Sequence, residues 1–495
     1  MPGRYRRGTL MAVLLIVSEL GVPPPDSNLA RSVRETDTAG HATFTDDSRV
    51  TATLMTDSTS MIAAGAIERL VEHLTTFTEL EALYGDSSVG HDRRTTRLRP
   101  AWSPLRLLTM PTDLDHLVVR GRHSSGTLAD RIGALTAIEG NRIGHVPDVL
   151  IQVVAPPLLD AAARSALNRA AETRSVRLEA IRGERLGVVP AHPDALSVVI
   201  PTAGTAGADG RPLIDNAIEA CLASEVETLE VLLVVGDECR IDPTRLTADP
   251  RVRVVRRPSG EWNFSAAVNL GLLDASHPLV LVLNDDVELL ERDWIARMAS
   301  HLRDPSVGAV GALLLYPDLT CQHVGMVTDD AFPLHAHVGR TIDQLEALDA
   351  DLAHDRIAVT AACLLARRTD LLAVGGFCED LPFGFNDVDL CLKLRRAGLR
   401  VVVEPGARLI HHESASRPPV THAWEWDSFI GRWGDVVDPF YHPGYHRPDD
   451  PHDRRRNADH LPPIRQHRGL PRTAVIRSRV HHARLEATEP ADAAS

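Results

Sequence analysis

Between residues 194 and 300 the chain alternates short unbroken apolar runs with stretches of helical spacing. Residues 196–200, 229–235, 251–255 and 279–283 read as strands, and 211–224 and 266–275 as helices. Unbroken runs of this kind belong to strands covered on both faces, and their alternation with helices implies parallel strands joined by crossovers. Ligands of such sheets bind outside the carboxyl ends of the strands. Two of those ends are acidic: Gly236-Asp237 and Asn284-Asp285-Asp286.

Upstream the pattern is weaker. The apolar positions Ile62, Ala66, Ile67, Leu70, Val71, Leu74, Leu80 and Leu83 predict one amphipathic helix over 61–83. Strands are expected at 117–119, 149–154 and 175–181, with an Ala- and Leu-rich helix at 158–171. Residues 61–190 therefore read as a small α/β accessory domain whose role the residues do not spell. Residues 18–60 are rich in Ser, Thr, Asp and Pro, so 1–60 is expected to be a disordered extension. Within it, Arg4, Arg6 and Arg7 precede an apolar run at 10–17. That resembles a signal segment, yet it is far shorter than the ~20 residues a membrane span needs, and no small-x-small cleavage site follows. A Pro-containing linker at 190–194 opens the main domain, 194–445, and the polar stretch 446–495 reads as a mostly disordered tail.

Composition narrows the function. The 495 residues carry a net charge of −14, which excludes a general nucleic-acid binder needing a basic face. Aromatics are 4%, so the core is aliphatic, and Lys393 is the single lysine. The six cysteines form no CxxC pair and sit mostly in apolar runs, as buried free thiols of a reducing compartment do.

Three acidic or histidine clusters carry candidate chemistry. Adjacent carboxylates at Asp285 and Asp286 repel unless a cation or ligand joins them. By themselves they are equally explained as an acidic loop before a helix. Asn386-Asp387-Val388-Asp389 opens a helix over 390–397, where a simple cap is the competing explanation. His411-His412-Glu413 closes a strand over 407–410, and two His beside Glu form a metal-ligand candidate. A dinucleotide-binding oxidoreductase is disfavoured, because Thr202-Ala203-Gly204-Thr205-Ala206-Gly207 lacks the GxGxxG spacing.

Taken in order, these segments resemble the family 2 glycosyltransferases of the GT-A fold, in the branch that builds O-antigen, rhamnan and other surface polysaccharides. The resemblance runs from 196 to about 445. It rests on the opening strand to Pro201-Thr202, on Asn263-Phe264-Ser265 with Asn269 and Gly271, and on Asn284-Asp285-Asp286 as a DxD-type motif. It continues through Gln322-His323-Val324-Gly325, Gly375-Gly376-Phe377, Phe385-Asn386-Asp387 and His411-His412. Gly236, Asn284, Asn386 and Cys378 depart from the usual residues, which motivates the alternative of a GT-A-like module that binds nucleotide-sugar or glycan without efficient transfer.

The resemblance implies a Rossmann-like, mostly parallel sheet with flanking helices. It implies an inverting transfer of a hexosyl or deoxyhexosyl unit from a nucleotide-diphosphate sugar to a hydroxyl of a saccharide or lipid-linked acceptor. Asp387 would be the general base. Asp286 and His411 would hold Mn²⁺ or Mg²⁺, and Pro201, Thr202, Asp237, Asn269 and Asp285 would line the donor site. It further implies a cytoplasmic enzyme of cell-wall polysaccharide synthesis, with peripheral contact at the inner face of the cell membrane or with a synthesis complex.

Overall fold

The computed structural model describes residues 13–16, 50–56, 60–63, 66–90, 95–120, 127–207, 210–241, 247–329, 332–412, 422–434, 436–440 and 465–466. The chain divides into two units. One comprises 1–173, 180–186 and 439–468, and the other 174–179, 187–438 and 469–495.

The first unit is an eight-stranded sheet with helices against it. Strand Ala82–Val89 runs parallel to Ile143–Val153 and antiparallel to His116–Arg120. Helix Ala66–Thr76 buries Ala66, Leu70 and Leu74 on this sheet. The helix expected over 61–83 is thus too long at both ends: Met61–Ile62 pairs with Ile143–Val153, and Leu83 lies in a strand. Leu80 and Leu83 continue the helical spacing only by coincidence, because both face the same core that the helix covers.

The strand after them escaped the pattern because its buried positions are polar. Asp86 and Ser87 are fully enclosed, and Asp115 beside them accepts bonds from Ser87 at 2.6 Å and Arg99 Nη2 at 2.8 Å. The stretch expected to be disordered up to 60 also contains a strand, Val50–Thr56, paired with His116–Arg120, and Val13–Ile16 pairs with it in turn. Val50–Thr56 buries Ala52, Leu54 and Met55. In the expected tail, Arg465–Gln466 pairs with Ile143–Val153. Otherwise the extension and the tail lie outside the described residues.

The second unit is built on strands β1 (Ala195–Thr202), β2 (Thr228–Val235), β3 (Val252–Arg256), β4 (Leu279–Leu283), β5 (Val287–Leu289), β6 (Val307–Leu315), β7 (Cys363–Arg367) and β8 (Arg400–His411). They lie in the order β3-β2-β1-β4-β7-β6-β8-β5. The first four strands are mutually parallel, as is the pair β6–β8, while β7 and β5 run against their neighbours. Helices α1 (Leu213–Leu222), α2 (Phe264–Asp274), α3 (Trp294–His301), α4 (Asn386–Arg396) and α5 (Ala423–Trp433) pack around the sheet.

This is the α/β architecture, with flanking helices, that the alternating pattern predicts. Helix α2 starts where the Asn263 side chain accepts a bond from the Ala266 amide at 2.9 Å. It lies close on β1: a Cβ at Gly271 would stand 2.3 Å from Val199 Cγ1, so only glycine fits there. Among the described residues no helix is long and apolar enough to cross a membrane.

Candidate active site

A cleft of about 640 Å³ opens at the carboxyl ends of β1 and β4. Pro201 ends β1 and lines it; Asn284 and Asp285 follow β4 and form its floor; Asn386 and Asp387 enter from the start of α4. Thr202 is buried behind the floor, where its hydroxyl donates to Asp285 Oδ2 at 2.6 Å. Burial raises the Asp285 carboxyl to about 6, assisted by the neighbouring Asp286 charge and opposed by the Thr202 bond.

Asp286 turns the other way. It is buried rather than solvent-facing, and its backbone carbonyl accepts from the His412 amide at 3.0 Å. Its Oδ1 lies 3.1 Å from His411 Nε2 and makes no hydrogen bond. Gln322 holds the far side of His411. Gln322 Nε2 donates to the His411 carbonyl at 3.3 Å, so Gln322 Oε1 is the atom 2.6 Å from His411 Nδ1. Nδ1 therefore carries a proton, and Nε2 is left facing Asp286 Oδ1. The Asn284 side chain lies 3.1 Å from the same nitrogen.

A carboxylate oxygen and an imidazole nitrogen thus meet side by side. Such a pair fits a divalent cation, and the Gln322 bond to the far ring nitrogen is the usual support for a histidine ligand. Among the described residues no cluster of three or more Asp, Glu, His or Cys is gathered for a metal. Two protein ligands suffice where phosphate oxygens and water fill the other positions, as with Mg²⁺ and nucleotides.

Asp387 sits at the second position of α4. Its Oδ1 accepts from the Val388 amide at 2.8 Å and its Oδ2 from the Ala361 amide at 3.3 Å. Burial raises its pKa; the nearby His335, these two amides and the Thr360 hydroxyl pull the other way. The residue before α4, Phe385, has φ 59°, a left-handed backbone that costs a bulky side chain ~1–3 kcal/mol. Stacking on Phe429, with centroids 5.0 Å apart, holds it there. The same turn is tied by buried Glu425, which accepts from the amides of Phe383 at 2.8 Å and Gly384 at 2.9 Å.

Of the expected site residues, the structure gathers Pro201, Asp285 and Asp387 in the cleft wall, with Thr202 directly behind. Asp286 and His411 meet each other, but they are not among the residues lining the cleft; Asn284 lines it and contacts them. Two residues expected at the donor site do not line the cleft. Asp237 is exposed, bonded to Ser259 at 2.6 Å, and it is Glu238 that lines the cleft. The space beside Gly236 is filled by the Arg257–Glu238 ion pair, so the chain there turns Asp237 outward. Asn269 is buried away from the cleft, its amide bonded to both backbone groups of Phe377 and to Glu379. It ties α2 to the Gly-Gly-Phe turn.

Sequence reasoning passed over Gln322, Glu425, Trp262 and Phe383 as site residues. The first two act on the site through hydrogen bonds that no spacing announces. The aromatics line the cleft wall, where a lone Trp or Phe in a sequence reads as core. Residues 413–421 lie outside the described residues.

With this geometry in place, the relatives are informative. Residues 197–323 match the model of glycosyl transferase family 2. The uncharacterized protein y4gI of Sinorhizobium fredii is 41% identical over 212 residues, 40% of this chain and 23% of that protein. The O-antigen biosynthesis protein RfbC of Myxococcus xanthus is 30% identical over 409 residues, 74% of this chain and 31% of that protein. The chain thus spans between about a quarter and a third of these two relatives. The N-acetylglucosaminyl-diphospho-decaprenol L-rhamnosyltransferase of Mycobacterium tuberculosis is 30% identical over 225 residues, 39% of this chain and 70% of that enzyme. With a matching family model, and similarity extending over most of a rhamnosyltransferase, the chain belongs to glycosyl transferase family 2.

Proposed function

We propose that the second unit transfers a sugar from a nucleotide-diphosphate sugar to a hydroxyl of a saccharide or lipid-linked acceptor, with inversion, in surface-polysaccharide synthesis. The observation that carries this reading is the close contact between Asp286 Oδ1 and His411 Nε2 beside a cleft that also holds a buried Asp387.

Pro201 and Asp285, with Glu238 and Arg240, shape the donor end of the cleft. Asp286 and His411 would hold Mn²⁺ or Mg²⁺ once the Asn284 amide turns aside. The cation would neutralise the departing diphosphate as a Lewis acid. Asp387 takes the proton of the acceptor hydroxyl as its oxygen attacks the anomeric carbon. Burial favours this role, because a carboxylate with a raised pKa is a stronger base at neutral pH. One displacement inverts the anomeric centre; retention through a covalent intermediate would need a second, nucleophilic carboxylate close by. Peripheral contact with a membrane or a synthesis complex belongs to the same proposal.

The test is hydrolysis or transfer from a panel of UDP-, GDP- and dTDP-sugars with Mn²⁺ or with chelator. Metal-dependent release of nucleoside diphosphate supports the reading. Tight nucleotide-sugar binding with no turnover on any donor would favour the non-catalytic module instead.

A further inference from the structure

We propose that the acceptor is a neutral saccharide of at least two linked rings, and that a second hollow beside the cleft binds the ring following the reacting one. The hollow measures about 680 Å³ and shares Trp262 and Phe383 with the catalytic cleft. Both hollows lie within the ordinary range of ligand pockets, roughly 300–1,000 Å³. A chain whose reacting hydroxyl lies beside Asp387 therefore passes these two aromatics directly into the second space.

The far side of the hollow is a built aromatic platform. Trp424 stacks on His422 with centroids 5.9 Å apart and planes 11° apart, and His422 in turn leans on Phe383 at 5.7 Å. The His422 amide donates to Glu425 at 3.2 Å, so the platform is fixed to the start of α5. Trp424 nevertheless leaves half of its surface exposed. An indole held flat and half open in a groove suits a ligand with one apolar face.

The rim is acidic: Glu261 and Asp380 line the same hollow. A sugar ring matches this combination, because its C–H face stacks on an indole while its hydroxyls donate to carboxylates. Asp380 pairs with Arg432 at 3.6 Å, yet Glu261 and Glu379 keep the rim acidic, so a purely apolar chain would set hydrocarbon against charge and an anionic saccharide would be repelled.

The inference rests on the transferase reading, and the experiment separates the two. Binding of neutral di- to hexasaccharides of hexose, deoxyhexose and N-acetylhexosamine units is measured by saturation-transfer NMR, alongside the monosaccharides and uronic-acid counterparts. Donor hydrolysis with Mn²⁺ is measured in parallel. Trp424→Ala is the variant; half of the indole is exposed, so the core does not depend on it, and Trp424→Phe serves as the conservative control.

The expected result is binding that needs two or more neutral rings, falls about tenfold in Trp424→Ala, as loss of one stacking aromatic does, and is largely kept in Trp424→Phe. Donor hydrolysis stays unchanged in both. The inference is overturned if no neutral oligosaccharide binds, if monosaccharides or uronates bind equally well, or if Trp424→Ala leaves binding intact. It is overturned too if Trp424→Ala weakens only adsorption to phosphatidylglycerol vesicles, which would make the indole a membrane contact. Loss of donor hydrolysis in the parent protein would sink the transferase reading while leaving the saccharide result readable.

Discussion

His411 Nε2 stands 3.1 Å from Asp286 Oδ1, and the Gln322 side chain fixes the imidazole so that this nitrogen faces the carboxylate. An oxygen and a nitrogen placed side by side in this way can bind one cation together. Asp286→Ala should therefore lower Mn²⁺ affinity by more than about a hundredfold, and Gln322→Ala by about 10–100-fold, the range typical of losing an outer-shell partner. Calorimetric titration of Mn²⁺ in the presence of UDP or GDP checks both. In chelator the melting temperature of Asp286→Ala should change little, because Asp286 Oδ1 makes no hydrogen bond. Equal Mn²⁺ affinity in all three proteins would place the ion elsewhere.

Asp387→Asn keeps the shape of the turn and one acceptor for the Ala361 or Val388 amide, so stability should change little. It removes the proton acceptor. Transfer should fall by about two to four orders of magnitude while donor affinity persists. A variant that loses stability but keeps its specific activity would show Asp387 to be a helix cap and nothing more.

The same residue predicts a pH profile. Burial raises the Asp387 carboxyl above the ordinary range, so the base is lost to protonation at a higher pH than an exposed aspartate would be. The acid limb of kcat/KM should thus have its midpoint above about 4, the unperturbed value, and should vanish in the residual activity of Asp387→Asn. An acid limb that survives in the variant would belong to another group.

Much of the second unit was legible because its strands are unbroken apolar runs: the strand expected over 279–283 is Leu279–Leu283 itself. Asp285 and Asp387 were legible for the same reason, since each follows or opens an element that the pattern already located. What the pattern missed has a common cause. Ala82–Val89 is a buried strand whose interior is charge and hydroxyl rather than hydrocarbon, so hydropathy does not see it. Asp237 and Asn269 were placed by their neighbours in the motif. Their side-chain directions depend on the Arg257–Glu238 pair and on the Phe377 turn, which lie distant in sequence. Gln322 is 89 residues from the histidine it orients.

Glu425 positions the base without touching the cleft floor. Its carboxylate gathers the amides of Phe383, Gly384 and His422, and thereby holds the turn that leads into Asp387. Glu425→Gln leaves one amide facing another donor. We expect kcat to fall on the order of ten- to hundredfold, as small misplacements of a catalytic group do, with donor KM unchanged. A fall in donor affinity instead, at constant kcat, would mean that Glu425 serves the nucleotide end.

The last prediction concerns the first unit, where Arg99 and Asp115 form a fully buried pair at 2.8 Å. Burial alone would raise the Asp115 carboxyl. The Arg99 charge and the bonds from His116 and Ser87 outweigh it and hold the carboxyl well below the usual carboxylate range. A carboxyl depressed in the folded state binds its proton more readily once unfolded, so it contributes stability above the unfolded value of about 4 and loses it as the pH falls below that. Asp115→Asn strands a buried guanidinium and should cost the unit ~3–5 kcal/mol at pH 7. Hydrogen exchange in the Ala82–Val89 strand at pH 7 reads this directly, as protection lost in the variant. Acid unfolding reads the sign: the gap between parent and variant should narrow steadily below about pH 4. A gap that stays constant with pH would mean that the substitution acts through packing, and that the Asp115 charge adds nothing to the fold.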